Sequence, residues 1–227
     1  MFLDRYYFLL VLPAVLLSLW AQARVSGTYQ KYRAVQCRSG YTGAQIARRI
    51  LDDHGLTDVY IEPIQGELTD HYDPRDRVVR LSRDVFYGNH VAALGIAAHE
   101  TGHAVQHAEG YFPLQIRTAI IPVTNFGAKL SMPMLFLGLI LGAPSLVTFG
   151  IVLYSLVTLF QFVTLPVEFN ASARAVDTLA NGVLDEQELF GTKKVLTAAA
   201  LTYVAALLVS AMQLLRLVLL FGNRDRR

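Results

Sequence analysis

The chain has 227 residues, 53% of them hydrophobic and 17% charged, with a mean hydropathy of +0.38. A soluble globule carries about 25% charged residues, so this composition argues against an ordinary cytosolic domain, and its aromatic content excludes a disordered chain. The formal charge of +2 excludes a strongly basic nucleic-acid binder. The single cysteine, Cys37, excludes an intrachain disulfide framework and a cysteine-built zinc cluster.

Charge is absent from residues 6–23, from 130–167 and from 195–215. A spanning helix needs about 20 predominantly apolar residues, so the first and last runs each make one span. The middle run, extended back to Thr118 across Lys129, makes two, with Gly142-Ala143-Pro144-Ser145 as the turn between them. Four transmembrane helices are predicted, near 7–20, 119–141, 146–165 and 197–219. Pro122, Asn125, Lys129 and Pro133 weaken the second, whose first turns are open to a role as an interfacial or active-site segment. Ala21-Gln22-Ala23 resembles a signal-peptide cleavage site, but Asp4 and Arg5 cancel where such a peptide needs a positive start, so the run reads as a retained anchor.

Most of the charge lies between the first two spans. There, Thr42 caps a predicted helix running to Leu56, with Ile46, Ala47 and Ile50 on one face and Gly55 at its end. Val59-Tyr60-Ile61 reads as a strand. Asp73-Pro74-Arg75-Asp76 reads as a turn between strands at 68–72 and 78–81, and the second strand offers an edge to an extended substrate. Ser82 or Asn89 then caps a helix over 91–107. The chain thus divides into an N-terminal span (1–23), a region bearing the main motif (24–117), a transmembrane hairpin (118–167), a linking segment (168–194) and a last span with the basic tail Arg224, Arg226 and Arg227 (195–227).

His99-Glu100-Thr101-Gly102-His103 is an H-E-x-x-H motif. On a helix its two imidazoles share one face, about 6 Å apart along the axis, and can grip one metal ion. Glu100 then reaches a metal-bound water without being a ligand. Chance would yield the pattern in this composition only about 0.005 times. Neutral imidazoles leave Zn²⁺ a strong Lewis acid, its water ionises near neutrality, and the carboxylate accepts the proton. A catalytic zinc needs a third protein ligand. His107 lies about 12 Å from His99 along the same helix, too far to share the ion. Glu168, the first charge after 38 uncharged residues, is the leading candidate. It can meet His99 only if an even number of spans separates them, and two are counted. Glu67, Asp70 and His71 remain alternatives.

The chain resembles the YugP-type neutral zinc metallopeptidases of bacterial membranes over nearly its whole length. The resemblance rests on Leu68-Thr69-Asp70-His71-Tyr72-Asp73-Pro74, on Ala97-Ala98-His99-Glu100-Thr101-Gly102-His103-Ala104, on Thr164-Leu165-Pro166-Val167-Glu168-Phe169-Asn170-Ala171-Ser172, and on Ala198-Ala199-Ala200-Leu201-Thr202-Tyr203-Val204-Ala205. The order of parts is also similar to HtpX-type heat-shock proteases and CAAX prenyl proteases, where a ligand glutamate stands in an E-x-x-x-D motif. The resemblance implies His99, His103 and Glu168 as ligands of one Zn²⁺ and Glu100 as general base. Ser172 replaces the motif's aspartate, which orients a ligand histidine. A hydroxyl does this more weakly, which bears on metal affinity.

The implied protein is mainly α, a multi-pass cell-membrane protein of about four transmembrane helices with a small α+β zincin-like catalytic domain. Its expected activity is zinc-dependent endoproteolysis of unfolded or membrane-proximal polypeptides. Arg174 and Tyr203 are weak candidates for stabilising the oxyanion. The expected partners are a polypeptide substrate and the lipid bilayer, with membrane-protein partners or a homo-oligomer left open and no nucleic acid. Eight basic residues on the motif's side against five on the other place the site in the cytoplasm. A site-2-type intramembrane protease is disfavoured because only residues 91–98 are uncharged before His99. A non-enzymatic scaffold with a structural metal is the alternative, though such a site has no use for Glu100.

Overall fold

The computed structural model describes residues 4–222; the tail arginines at 224, 226 and 227 lie outside them. A π-helical turn at Tyr7–Val11 leads into α1 (Leu12–Arg33). Then come α2 (Gly43–Asp53), β1 (Tyr60–Ile64), β2 (His71–Asp73), β3 (Val78–Ser82), α3 (Arg83–Tyr87) and α4 (Val91–Ala108). Three long helices close the described chain: α5 (Phe112–Ile140), α6 (Pro144–Ala180) and α7 (Glu186–Phe221). Four helices, including Tyr7–Arg33, are long and apolar enough to cross a membrane. The fold is therefore mainly α and multi-pass, with a small three-stranded sheet.

The chain separates into two compact units. One takes the residues up to Gln22, Gln115–Pro166 and those from Leu201 onward. The other, which carries the H-E-x-x-H motif, is Ala23–Leu114 with Val167–Ala200. Each long helix is thus shared between the two, which explains why all four outrun their predicted spans. Past the uncharged runs their apolar positions turn to a protein core. On α6, Ala171, Ala175 and Leu179 recur at helical spacing and are fully buried.

In the membrane unit, α5 is one continuous helix despite Pro122 and Pro133. Pro144 opens α6 after the predicted turn, where the missing N–H of proline costs nothing. An ion pair ties the first described turn to α7: the Arg216 guanidinium donates to Asp4 Oδ2 at 2.6 and 3.0 Å.

In the second unit, Thr42 and Gln45 form a reciprocal capping box on α2, and Gly55 takes the positive φ (+71°) that ends the turn after it. The amphipathic face of α2 (Ile46, Ala47, Ile50, Leu51) meets β3, α4 and the inner ends of α6 and α7 in one core. The sheet order is β1-β3-β2, with β1 parallel and β2 antiparallel to β3. This corrects one expectation: β3 is the central strand, buried on both flanks, and offers no free edge. The edges belong to β1, where Pro63 is tolerated because one side needs no ladder bond, and to the three-residue β2. The cap of α4 also differs from prediction. It is His90, whose Nδ1 accepts from the Ala93 N–H at 3.1 Å.

Candidate metal centre

Two helices of the second unit build the site. Helix α4 carries His99, Glu100 and His103, and nearly every other residue around them is small and buried (Ala97, Ala98, Thr101, Gly102, Ala104). Gly102 sets how closely α6 can approach: a Cβ there would stand 3.1 Å from the Ala171 carbonyl oxygen and 3.6 Å from the Ala171 Cβ. Helix α6 brings Glu168 and, one turn on, Ser172 to the same face.

The Glu168 Oε2 lies 3.3 Å from His99 Nε2 and 3.5 Å from His103 Nε2, and Glu168 is 2% exposed. The ligand atoms of the three residues all fall within 4.8 Å of one another. Tetrahedral ligands about 2.0–2.2 Å from Zn²⁺ stand roughly 3.3–3.6 Å apart, so the carboxylate-to-imidazole separations fit that ion. The two imidazole rings are nearly perpendicular, with centroids 4.8 Å apart. Burial alone would hold the His103 pKa down, but the Glu168 carboxylate beside it turns the net shift upward. The pocket favours a positive charge.

Both remaining imidazole nitrogens are engaged. His99 Nδ1 is 3.2 Å from Ser172 Oγ, and His103 Nδ1 is 2.9 Å from Gln106 Oε1. Such outer partners set ring orientation at metal sites. Glu100 is half-buried, and no hydrogen bond to its carboxylate occurs among the described residues. Its charge reaches Asp70, where burial first, and Glu100 second, push the carboxyl above the ordinary range against the opposing Ser82 donors.

A family model described as "Putative neutral zinc metallopeptidase" matches residues 7–222. The chain belongs to this zinc metallopeptidase family. It is also 51% identical over 219 residues to "Putative membrane protease YugP" of Bacillus subtilis (strain 168), covering 96% of this chain and 97% of that one. No solved structure matches.

Within this family member, the residues weighed from sequence fall into two sets. His99, His103 and Glu168 converge. Glu67, Asp70 and His71 do not join them: Glu67 accepts from Gln30, Asp70 from the Ser82 backbone and hydroxyl, and His71 Nδ1 is 2.9 Å from the Thr69 carbonyl. His107 faces Tyr72, with Nδ1 2.9 Å from the phenol oxygen. Arg174 donates through Nε to Asn170 Oδ1 at 2.8 Å and through its terminal nitrogen to Glu109 at 2.6 Å. Tyr203 belongs to the membrane unit. Gln106 and Asn170 were missed by sequence reading. The one available signal was that Gln106 follows His103 by three residues and so shares its helix face.

Proposed function

We propose that this chain is a membrane-anchored zinc endopeptidase in which His99, His103 and Glu168 hold one Zn²⁺ and Glu100 is the general base. The observation that carries the proposal is the convergence of two imidazole nitrogens on one buried carboxylate oxygen, 3.3 and 3.5 Å from it, beside an acidic side chain that no donor claims among the described residues. Three protein ligands leave a fourth position open, as a catalytic site requires. Bound there, the ion supplies Lewis acidity to a water and to the scissile carbonyl.

The chain's own groups do the rest. His99 and His103 turn Nε2 toward Glu168, while their Nδ1 atoms face Ser172 and Gln106. Glu100 takes up the proton released by the attacking water and returns it to the leaving nitrogen. With no competing donor among the described residues, the carboxylate is available for both steps. An extended substrate can add to β2, an edge strand that packs against α4 through Tyr72 and His107. That mode selects unfolded or membrane-proximal polypeptides over folded ones. The basic residues flanking the spans support a cytoplasmic site, which reporter fusions at the two termini check: both should report from outside.

The test compares wild type with Glu100→Gln, each purified in mild detergent with bound zinc measured, on an unfolded model protein. Cleavage by wild type, and loss of about 10²–10⁴ in rate with zinc retained in the variant, is expected. Equal cleavage by both would refute Glu100 as base. Zinc binding without cleavage by either would favour a scaffold.

A further inference from the structure

We infer that Arg174, Asn170 and Gln106 form a chain of hydrogen bonds of fixed direction that sets the tautomer of His103. The inference rests on the ligand reading above and adds residues to which that reading gives no role.

The logic starts at Arg174. A guanidinium can only donate, so the Asn170 side-chain atom facing Arg174 Nε at 2.8 Å is the amide oxygen. The same oxygen lies 2.9 Å from Gln106 Nε2, and the Val167 carbonyl lies 2.9 Å from that nitrogen as well. Both hydrogens of the Gln106 amide are therefore spent on α6. Rotating the amide by half a turn would set its oxygen against two acceptors. With its –NH₂ committed, Gln106 presents only its oxygen to His103 Nδ1, at 2.9 Å. Nδ1 must then carry the hydrogen, which leaves Nε2 as the nitrogen that faces Glu168 and is free to bind a metal.

Gln106 is wholly excluded from solvent, so no water offers an alternative partner. The other imidazole contrasts with this one. Ser172 Oγ can donate or accept, and at 3.2 Å it leaves the His99 tautomer undetermined. Glu109 completes the chain at its far end by holding the Arg174 terminal nitrogen. Arg174 is thus a positioning residue, and its guanidinium is engaged away from the oxyanion role considered from sequence.

The experiment uses the full chain in detergent, with zinc affinity read by competition with a chelator and His103 identified by ¹⁵N-histidine spectra of the metal-free protein. In wild type, His103 should carry a hydrogen on Nδ1 whatever the state of Nε2. Arg174→Met does not touch His103, yet should weaken zinc by about 3- to 10-fold and mix the His103 tautomers, while Arg174→Lys, which keeps a donor, should recover most of the affinity. Gln106→Leu should cost about 10- to 100-fold. Because that variant empties a buried polar position, Arg174→Met is the deciding one if it misfolds. Glu168→Gln separates the two readings. If it abolishes tight binding while Arg174→Met stays within twofold of wild type, the inference fails and the ligand set stands. If Glu168→Gln leaves binding unchanged, the ligand set fails and this inference with it. A wild-type His103 in the Nε2–H form overturns the inference alone.

Discussion

Ser172 stands where the related E-x-x-x-D motif has aspartate, and its geometry allows the consequence to be worked out. Its Oγ sits 3.2 Å from His99 Nδ1, at the long end of the 2.7–3.2 Å range for such bonds. Position 172 lies one helical turn beyond Glu168, so both point at α4. An aspartate here reaches one bond further and accepts with a full negative charge. A neutral hydrogen bond contributes about 0.5–1.5 kcal/mol and one to a charged group about 1.5–3 kcal/mol. The difference, near 1–1.5 kcal/mol, corresponds to about tenfold tighter zinc, since 1.4 kcal/mol is one decade. Removing the hydroxyl should loosen zinc by about fivefold on the same scale.

Competition with a chelator of known affinity measures both changes on detergent-purified protein. Ser172→Asn is the control, since it matches aspartate in size and carries no charge. The expected order of affinity is Asp, then Asn and wild type together, then Ala. The reasoning is refuted if Ser172→Asp binds no tighter than Ser172→Asn, or if Ser172→Ala stays within twofold of wild type.

Three further outcomes follow from the geometry. Gly102→Val should abolish tight zinc binding and Gly102→Ala should weaken it only several-fold, because a Cβ at 3.1 Å from the Ala171 carbonyl makes α6 yield by tenths of an ångström and branching makes it yield more; equal affinity in both would show that the helix approach is not limiting. The cap of α4 should respond to pH. Burial lowers the His90 pKa from 6.5, with Asp84 opposing. The folded value therefore lies below the unfolded one, so this stabilisation is full above pH 6.5 and is lost as pH falls through the depressed value. His90→Asn, which caps without titrating, should flatten that part of the unfolding profile; an unchanged slope in metal-free protein would exclude His90 as its source. In the membrane unit, Asp4→Ala should lower the unfolding temperature by removing the carboxylate that neutralises the buried Arg216, whose hydrogen bond to the neutral Gln213 amide does not replace that charge, and adding Arg216→Met should restore it; no recovery in the double variant would show that the pair is not what Asp4 supports.

How much of this was readable from the residues depends on the range of the interaction that decides each feature. The capping box at Thr42, the turn before β3 and the register of the H-E-x-x-H motif are settled within a few residues, and they stand where the pattern placed them. The central position of β3 was not readable, because its parallel partner β1 pairs across β2 and a loop, and nothing local announces a non-adjacent strand. The ends of α6 and α7 were also hidden. Charge-free runs mark where lipid must be faced, whereas Ala171, Ala175 and Leu179 continue the helix for the different reason that they pack a protein core. His90 as a cap escaped because imidazole is rarely counted among capping side chains, although a neutral ring offers the same acceptor as Asn.

Glu168 illustrates the limit most sharply. Its isolation after 38 uncharged residues made it conspicuous, and two intervening spans made a meeting with His99 topologically allowed, but neither consideration demands that the meeting occur. What brings the carboxylate to the imidazoles is the absence of a side chain at Gly102 and the smallness of Ala171, which together let two helix backbones approach. A glycine within H-E-x-x-H reads from sequence as a weak helix former. In the folded unit its missing Cβ makes room for the carbonyl of the helix that delivers Glu168. The x positions of the motif therefore carry chemistry indirectly, by setting the distance over which the candidate third ligand must reach.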